Sequence, residues 1–334
     1  MKVVIPVAGA GTRLRPHTHT QPKTLVPVAG KPILMHIVDL LKGAGVEEFI
    51  FVTGYMGKKV ESFLQQHLQP PLRFTCVNQD PREGIAHAVW TAAEFFADDD
   101  EVLIMLGDTI LGGPITPVLE APITTLGVKR VDVPGNFGVA ELDEQQRVKR
   151  LIEKPKIPKS NLALAGLYKI KNPRQLIASI DNLMQRDQKT LGEYQLTDAL
   201  QDMVEHGETM GVHMLDTWYD CGKKETLLDT NAILLNRPEF KNPDASRFPG
   251  SILIPPVSIG QNCQIEQSII GPNVAIGEET VVRHSILRNS IVGAYSQLES
   301  SILNQSVIGN DSSLKGFSQS LNIGDNTEIN FGHE

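Results

Sequence analysis

Cysteine, aromatic rings, surplus positive charge and long apolar runs are all scarce in this chain, and each shortage removes a class of protein. The three cysteines, Cys76, Cys221 and Cys263, are far apart and form no C-x-x-C pair. That spacing argues against a disulfide framework or a zinc site and suits a reducing cytoplasm. No apolar stretch approaches the roughly 20 residues of a membrane span. The opening MKVVIPVAGAGTR, broken by Pro6 and glycines, is too short an apolar run for a signal peptide. Basic residues number 31 against 39 acidic ones, a net charge of −8, which repels nucleic acid and anionic membranes. A phosphate group bound here must therefore be held by a local site and not by a global field. What remains is an ordinary soluble composition, 41% hydrophobic and 21% charged, over 334 residues, enough for two domains.

Residues 1–235 alternate short β-like runs with amphipathic stretches. VVIPV (3–7), FIFVT (49–53), FTCV (74–77) and VLIML (102–106) read as strands. ILMHIVDLL (33–41) follows Pro32, a favourable first helical residue, and IAHAVWTAAEFF (85–96) follows Gly84. This order predicts an α/β domain with a mostly parallel, Rossmann-like sheet and crossover helices. Further strands are expected at TLGVK, GVAEL, LALAGLYKI and MGVHML, and helices near 173–184, 195–206 and 223–236. Residues 236–250, with three prolines and little periodicity, read as a linker.

Residues 251–334 follow a different rule. Glycines 260, 277, 293, 309 and 324 recur at spacings of 17, 16, 16 and 15. Between them an aliphatic residue returns about every five or six positions, as in Ile265, Ile270, Ile276, Val282, Leu287, Val292, Leu298, Leu303, Ile308 and Leu314. The pattern predicts a β-solenoid of three short faces per coil, with each inward aliphatic stacked on its equivalent one coil away.

The first strand runs into VAGAGTRLRPHTHTQPKTLVPVAGKPIL, residues 7–34. Gly9 and Gly11 let backbone N–H groups approach an anion, and Arg13 and Lys23 add formal positive charge. A dinucleotide fingerprint would need glycine where Leu14 stands, and the G-K-[ST] of a P-loop is absent. Prolines 16, 22, 27 and 32 rule out an immediate helix. His17 and His19, without nearby cysteine or carboxylate partners, read as surface loop residues, and His87 as packing on a helix face.

The whole string G-A-G-T-R-L, Pro16, Thr18, Pro22-Lys23 and Lys31-Pro32 resembles the sugar-phosphate nucleotidylyltransferase family, and most closely its long glucose-1-phosphate thymidylyltransferase branch. The resemblance continues through QDPREGIAHAV, LGDT, FGVAEL, LIEKP, LALAGLYKI, GEYQLTDAL and WYDCGKKETLLDTN. Two letters depart from the usual pattern: Ala8 stands where a glycine is usual, and Phe137 where tyrosine is common. The resemblance implies a left-handed parallel β-helix for the C-terminal repeat. It also implies nucleotide binding by Ala8, Gly9, Gly11, Thr12, Gln79 and Gly84, with Gln79 pairing to a pyrimidine edge. Gly138, Glu153, Lys154, Ala165, Tyr168, Glu193 and Thr197 would line the sugar phosphate. Asp108 and Asp220 would hold Mg2+, and Arg13, Lys23, Asp108, Lys154 and Asp220 would carry catalysis.

The implied reaction joins a nucleoside triphosphate, dTTP before UTP, to a sugar 1-phosphate, glucose 1-phosphate first, with release of pyrophosphate. Two alternatives accompany this reading. One is a uridylyltransferase that also transfers acetyl groups, for which the repeat offers only His284 and, beyond its last clear coil, His333. The other is a nucleotide-sugar-sensing subunit without turnover. A homo-oligomer in the cytoplasm, without nucleic-acid or membrane partners, is expected.

Overall fold

Aliphatic runs bounded by glycine and proline become the centre of the first unit in the computed structural model, which describes residues 1–316 and 321–330. Strands β1 (Lys2–Pro6), β2 (Glu48–Thr53), β3 (Arg73–Asn78) and β4 (Val102–Met105) lie in the order β4-β1-β2-β3, all parallel. Helices α1 (Ile33–Gly43), α2 (Gly57–His67) and α3 (Ile85–Thr91) lie between them in sequence. The sheet then grows antiparallel. β5 (Thr124–Arg130), β6 (Gly138–Leu142) and β7 (Val148–Glu153) join β8 (Leu162–Ile170), which lies antiparallel beside β4. β9 (Met210–Met214) pairs parallel with β5. β8 is buried along its whole length and slips register between Leu164 and Tyr168. Such a slip re-aims the side chains around it.

Helices α4 (Pro173–Gln185) and α5 (Leu196–Glu205) fall where the apolar spacing placed them, as does α6 (Lys224–Leu235) further on. α4 starts at Pro173, capped by Asn172, whose side chain accepts from Gln175 N. Val4, Ile104, Leu126, Leu164, Leu176 and Leu200 belong to one buried core under the sheet. Two expectations change in detail. The helix expected over 85–96 ends at Thr91 and continues as a short 3-10 turn, Ala93–Phe95, and α2 adds a helix between β2 and β3.

By contacts the chain divides into two compact units, one of Met1–Gly9 with Ile37–Trp218, the other of Ala10–His36 with the residues from Tyr219 onward. In the second unit the glycine repeat forms three parallel sheets, one per face. Ile265, Val282, Leu298 and Leu314 stack in register on one face, Ile270, Leu287 and Leu303 on the next, and Ile276, Val292, Ile308 and Ile323 on the third. These side chains make up the solenoid core. The corners explain the glycines: a Cβ on Gly277 would lie 2.4 Å from the backbone nitrogen of Ala294, and one on Gly293 2.5 Å from that of Asn310. The result agrees with the expected left-handed β-helix. His284 is exposed at a turn, and His333 lies outside the described residues.

Candidate functional site

In the first unit, β1 runs out through Val7, tied to Val52 O at 2.8 Å, to Ala8 and Gly9. Gly54 packs against Ala8 so closely that a Cβ there would meet the Ala8 methyl at 2.8 Å, whereas a Cβ on Gly9 would point into open space. Gly9 therefore leaves room above the strand end, the place where open α/β sheets receive ligands.

Gln79 follows β3 directly and is 4% exposed. Its Nε2 donates to Gly84 O at 3.0 Å and contacts His87 Nδ1 at 3.1 Å. A carbonyl only accepts, so the amide nitrogen must face Gly84, and Oε1 is left as the acceptor of the side chain. For His87 the sequence predicts packing on a helix face. It is buried and stacks on Trp90, and it also braces the Gln79 amide, a partnership that only the fold reveals. Gly84 has φ 112°, and a Cβ on it would lie 2.5 Å from Tyr194 O. Glycine is thus required there by the backbone of the 193–194 segment.

A second group gathers around β6, β7 and α5. Thr197 Oγ1 donates to Glu153 Oε2 at 2.7 Å. A Cβ on Gly138 would sit 2.8 Å from that hydroxyl and 3.0 Å from that carboxylate, so glycine makes the space for the pair. Lys154, with φ 41°, donates its backbone N–H to Phe137 O at 3.1 Å, and its Nζ stands 3.6 Å from Glu153 Oε1. The Phe137 ring packs edge-on against Trp218 at 4.8 Å. Tyr168, buried on β8, has its phenol pushed up by desolvation and by the nearby carboxylates of Glu153 and Asp108, which keeps it a hydrogen-bond donor.

Of the expected sugar-side residues, Gly138, Glu153, Lys154, Tyr168 and Thr197 thus come together, and Ala165 is buried in the same strand as Tyr168. Glu193 is exposed and lies beside Gly84, its Cβ 2.9 Å from where a Gly84 side chain would begin. Asp108 is half-buried in the turn after β4, where Gly107 N reaches Pro6 O at 3.3 Å.

In the second unit the proline-rich loop folds as three short 3-10 turns, Thr12–Leu14, His17–His19 and Lys23–Leu25. Gly11, at φ 61°, packs on Lys23, whose Cβ lies 2.8 Å from a Cβ built at Gly11. Thr18 Oγ1 donates to Gly11 O at 2.9 Å. Thr12 and Arg13 are exposed, Lys23 is buried. The Arg13 guanidinium and the half-buried Asp220 carboxylate flank Gly222: a Cβ there would lie 2.9 Å from Arg13 Nη2 and 2.8 Å from Asp220 Oδ1. Gly222, the glycine of Y-D-C-G, carries no signal by itself. His17 corrects the surface reading: it is 6% exposed and bonded to Asn322 Oδ1, whereas His19 is exposed.

A glycine at a strand end, the acceptor Oε1 of Gln79 and Lys154 beside Glu153 supply groups that suit, in turn, a phosphate, a ring N–H and a phosphate with hydroxyls around it. A family model described as nucleotidyl transferase matches residues 2–237. The chain belongs to the nucleotidyl transferase family.

Among its relatives, the low-salt glycan biosynthesis nucleotidyltransferase Agl11 of Haloferax volcanii is 37% identical over 72% of this chain and 68% of its own. The glucose-1-phosphate thymidylyltransferase of Streptomyces antibioticus is 30% identical over 89% of this chain and 88% of its own. A Bacillus anthracis crystal structure, described as a glucose-1-phosphate thymidylyltransferase with sucrose, has a TM-score of 0.63 at 29% identity. That match covers 72% of this chain and 98% of that one. The match to the bifunctional protein GlmU of Methanococcus maripaludis, in contrast, spans 55% of that protein. Among the described residues no helix is long and apolar enough to cross a membrane.

Proposed function

We propose that this protein is a sugar-1-phosphate nucleotidyltransferase that moves a thymidylyl group from dTTP to glucose 1-phosphate. The observation that carries the base is the Gln79 amide. Its nitrogen is taken by Gly84 O and His87, so Oε1 accepts from the ligand. At N3, thymine and uracil present a donor to such an acceptor, whereas cytosine presents a lone pair there and its donor on that edge is the N4 amino group. The Streptomyces relative, similar over nearly its whole length, supports glucose 1-phosphate. Uridylyl transfer is the second reading, because uracil shows the same edge and one methyl discriminates by only about 1–3 kcal/mol.

In this reading an oxygen of the sugar phosphate attacks the α-phosphorus in line and pyrophosphate departs with the electrons of the broken P–O bond. A phosphate monoester has its second pKa near about 6, so the nucleophile is already anionic and needs no general base. Lys154 orients the sugar phosphate, and Glu153, held by Thr197, accepts from sugar hydroxyls, with Gly138, Ala165, Tyr168 and Glu193 around the sugar. Ala8, Gly9, Gly11, Thr12 and Gly84 receive the nucleotide. Arg13 and Lys23 neutralise charge on the triphosphate as the leaving group forms.

Asp108 and Asp220 are proposed as magnesium ligands. Both are half-buried hard oxygen donors. This suits Mg2+, which takes one or two carboxylates and completes its shell with water and substrate phosphates. When bound, the ion supplies charge neutralisation at the phosphates.

Residues 1–235 are proposed as the catalytic domain, 236–250 as the linker and 251–334 as the β-helix, in a cytoplasmic homo-oligomer. On one solenoid face, Ile252, Ile269, Ile286 and Ile302 stack outward in register, and the end members are 59% and 51% exposed. Such an apolar strip favours self-association, which light scattering would detect.

The deciding experiment measures pyrophosphate release with magnesium, pairing dTTP, UTP, ATP, CTP and GTP with glucose 1-phosphate and N-acetylglucosamine 1-phosphate. Release highest with dTTP and glucose 1-phosphate is expected. A different active pair would move the substrate, and nucleotide binding without release from any pair would point to a sensing subunit.

A further inference from the structure

The loop that carries Arg13 is fastened to the β-helix at both of its ends. Toward the last coils, Asn310 Nδ2 donates to Gln21 Oε1 at 2.9 Å. His17 Nε2 bonds Asn322 Oδ1, and Thr20 Oγ1 donates to Asp325 Oδ2. Pro16 packs on the same coil, its Cβ 3.0 Å from where a Gly324 side chain would start. Toward the first coils, Ala29 N donates to Asn231 Oδ1 at 2.9 Å, and Asn231 Nδ2 donates to Asn273 O at 3.1 Å. Gly30 lies so close to Ser258 that a Cβ would meet its Oγ at 2.3 Å.

The solenoid side of these contacts is prepared in advance. Asn310 Oδ1 accepts from Ala294 N at 2.9 Å, and Asp325 Oδ1 accepts from Asn310 N at 2.7 Å. Each side chain is thus locked by a coil-to-coil bond and offers its second polar atom to the loop, so little rotamer entropy is lost in holding it. The loop itself brings only 3-10 turns and one two-residue strand pair, Pro27–Val28 with Lys31–Pro32. Without outside support so short a set of local bonds would leave it among the least stable parts of the molecule.

We propose that the β-helix is a positioning device for the phosphate loop. Asn310, Asn322 and Asp325 hold residues 16–21 and thereby set where the Arg13 guanidinium stands. Displacement of a charge-neutralising group by about 1 Å can cost on the order of a hundredfold in rate, so a clamp on this loop bears directly on turnover. The inference rests on the catalytic reading of Arg13 given above. Asn310, Asn322 and Asp325 are positioning residues and touch no substrate in it.

The test uses the full chain and two variants, the loop-side double substitution Thr20→Val with Gln21→Ala, which leaves the solenoid intact, and the solenoid-side Asn322→Ala. Hydrogen–deuterium exchange of amides 11–20 is the first readout and needs no activity. It is expected to rise about tenfold in both variants, with exchange across coils 274–309 unchanged. Steady-state pyrophosphate release is the second: kcat is expected to fall about tenfold or more, with KM for the sugar phosphate within about twofold. As a control, Thr20→Ser combined with Gln21→Ala keeps the hydroxyl and should restore much of both readouts relative to the double substitution. Unchanged loop exchange in both variants would overturn the proposal, and so would faster loop exchange with an unaltered kcat. Should the unmodified protein release no pyrophosphate with any pair, the proposed function fails, while loop exchange still decides whether the clamp exists.

Discussion

Replacing Thr197 with valine deletes one hydroxyl and leaves the side-chain shape almost unchanged, so it isolates the donor that holds Glu153. The bond removed is 2.7 Å long and ends on a carboxylate whose side chain is only 10% exposed. A hydrogen bond to a charged group contributes about 1.5–3 kcal/mol. Lys154 Nζ, 3.6 Å from the other carboxylate oxygen, still constrains Glu153, which argues for the lower end. About 1.5 kcal/mol at 1.36 kcal/mol per decade corresponds to roughly a tenfold fall in kcat/KM for the sugar phosphate. Steady-state kinetics with each substrate varied in turn are the assay, with thermal unfolding as a control. KM for the nucleotide should stay put, and Thr197→Ser should recover most of the loss. Equal losses toward both substrates, or no loss at all, would show that the Thr197–Glu153 pair does not serve the sugar, and the roles given to it would fall.

Arg13→Ala should lower kcat far more than it alters KM for either substrate, and near-normal turnover would remove Arg13 from the catalytic set. Gly84→Ala forces a Cβ to within 2.5 Å of Tyr194 O at a φ of 112°; thermal unfolding should show a loss of about 1–3 kcal/mol. His87→Leu removes the second partner of the Gln79 amide, and competition between dTTP and CTP should reveal weaker preference for thymine, by up to about tenfold. Burial pulls the His17 pKa below its ordinary value of 6.5, against the pull of Asn322 and Asp325. The unfolded chain then binds the proton more readily, so stability from this group is full above that value and declines as pH falls below about 6.5. His17→Asn should flatten that part of the pH profile of unfolding.

The sequence was most readable where its signals are local or repeated. Each strand of β1–β4 announces itself by a dense apolar run, and the solenoid by glycines whose absent Cβ atoms are demanded by the next coil. What escaped depends on partners distant in the chain. His17 looks like a solvated loop histidine until Asn322, 305 residues away, closes over it. Gly84 invites an explanation in terms of the ligand, but the neighbour that forbids a side chain is the Tyr194 backbone. The helix at 85–96 keeps its apolar period past the point where it ends. Thr91 Oγ1 turns back onto His87 O at 2.8 Å, and the next residue leaves helical geometry. α2 is as long as α1 but far more polar, with Val60 and Leu64 its buried residues, so no dense apolar run marks it.

The corners of the solenoid limit how this protein can change in length. At Gly277 and Gly293 the backbone of one coil stands within 2.5 Å of where the glycine Cβ below it would be, so neighbouring coils sit as close as chains can. An insertion of a few residues must be extruded as a loop at a corner, because one kept within a face strand would throw the inward aliphatics of that coil out of register. The solenoid can therefore grow or shrink only by whole turns of about sixteen residues. Even a whole turn is constrained, because the loop of residues 16–30 reaches Asn322 and Asp325 on late coils and Ser258 on an early one. An added coil would lengthen the support beyond the reach of the loop it holds, and the number of turns becomes a dimension of the enzyme and not a variable of its tail.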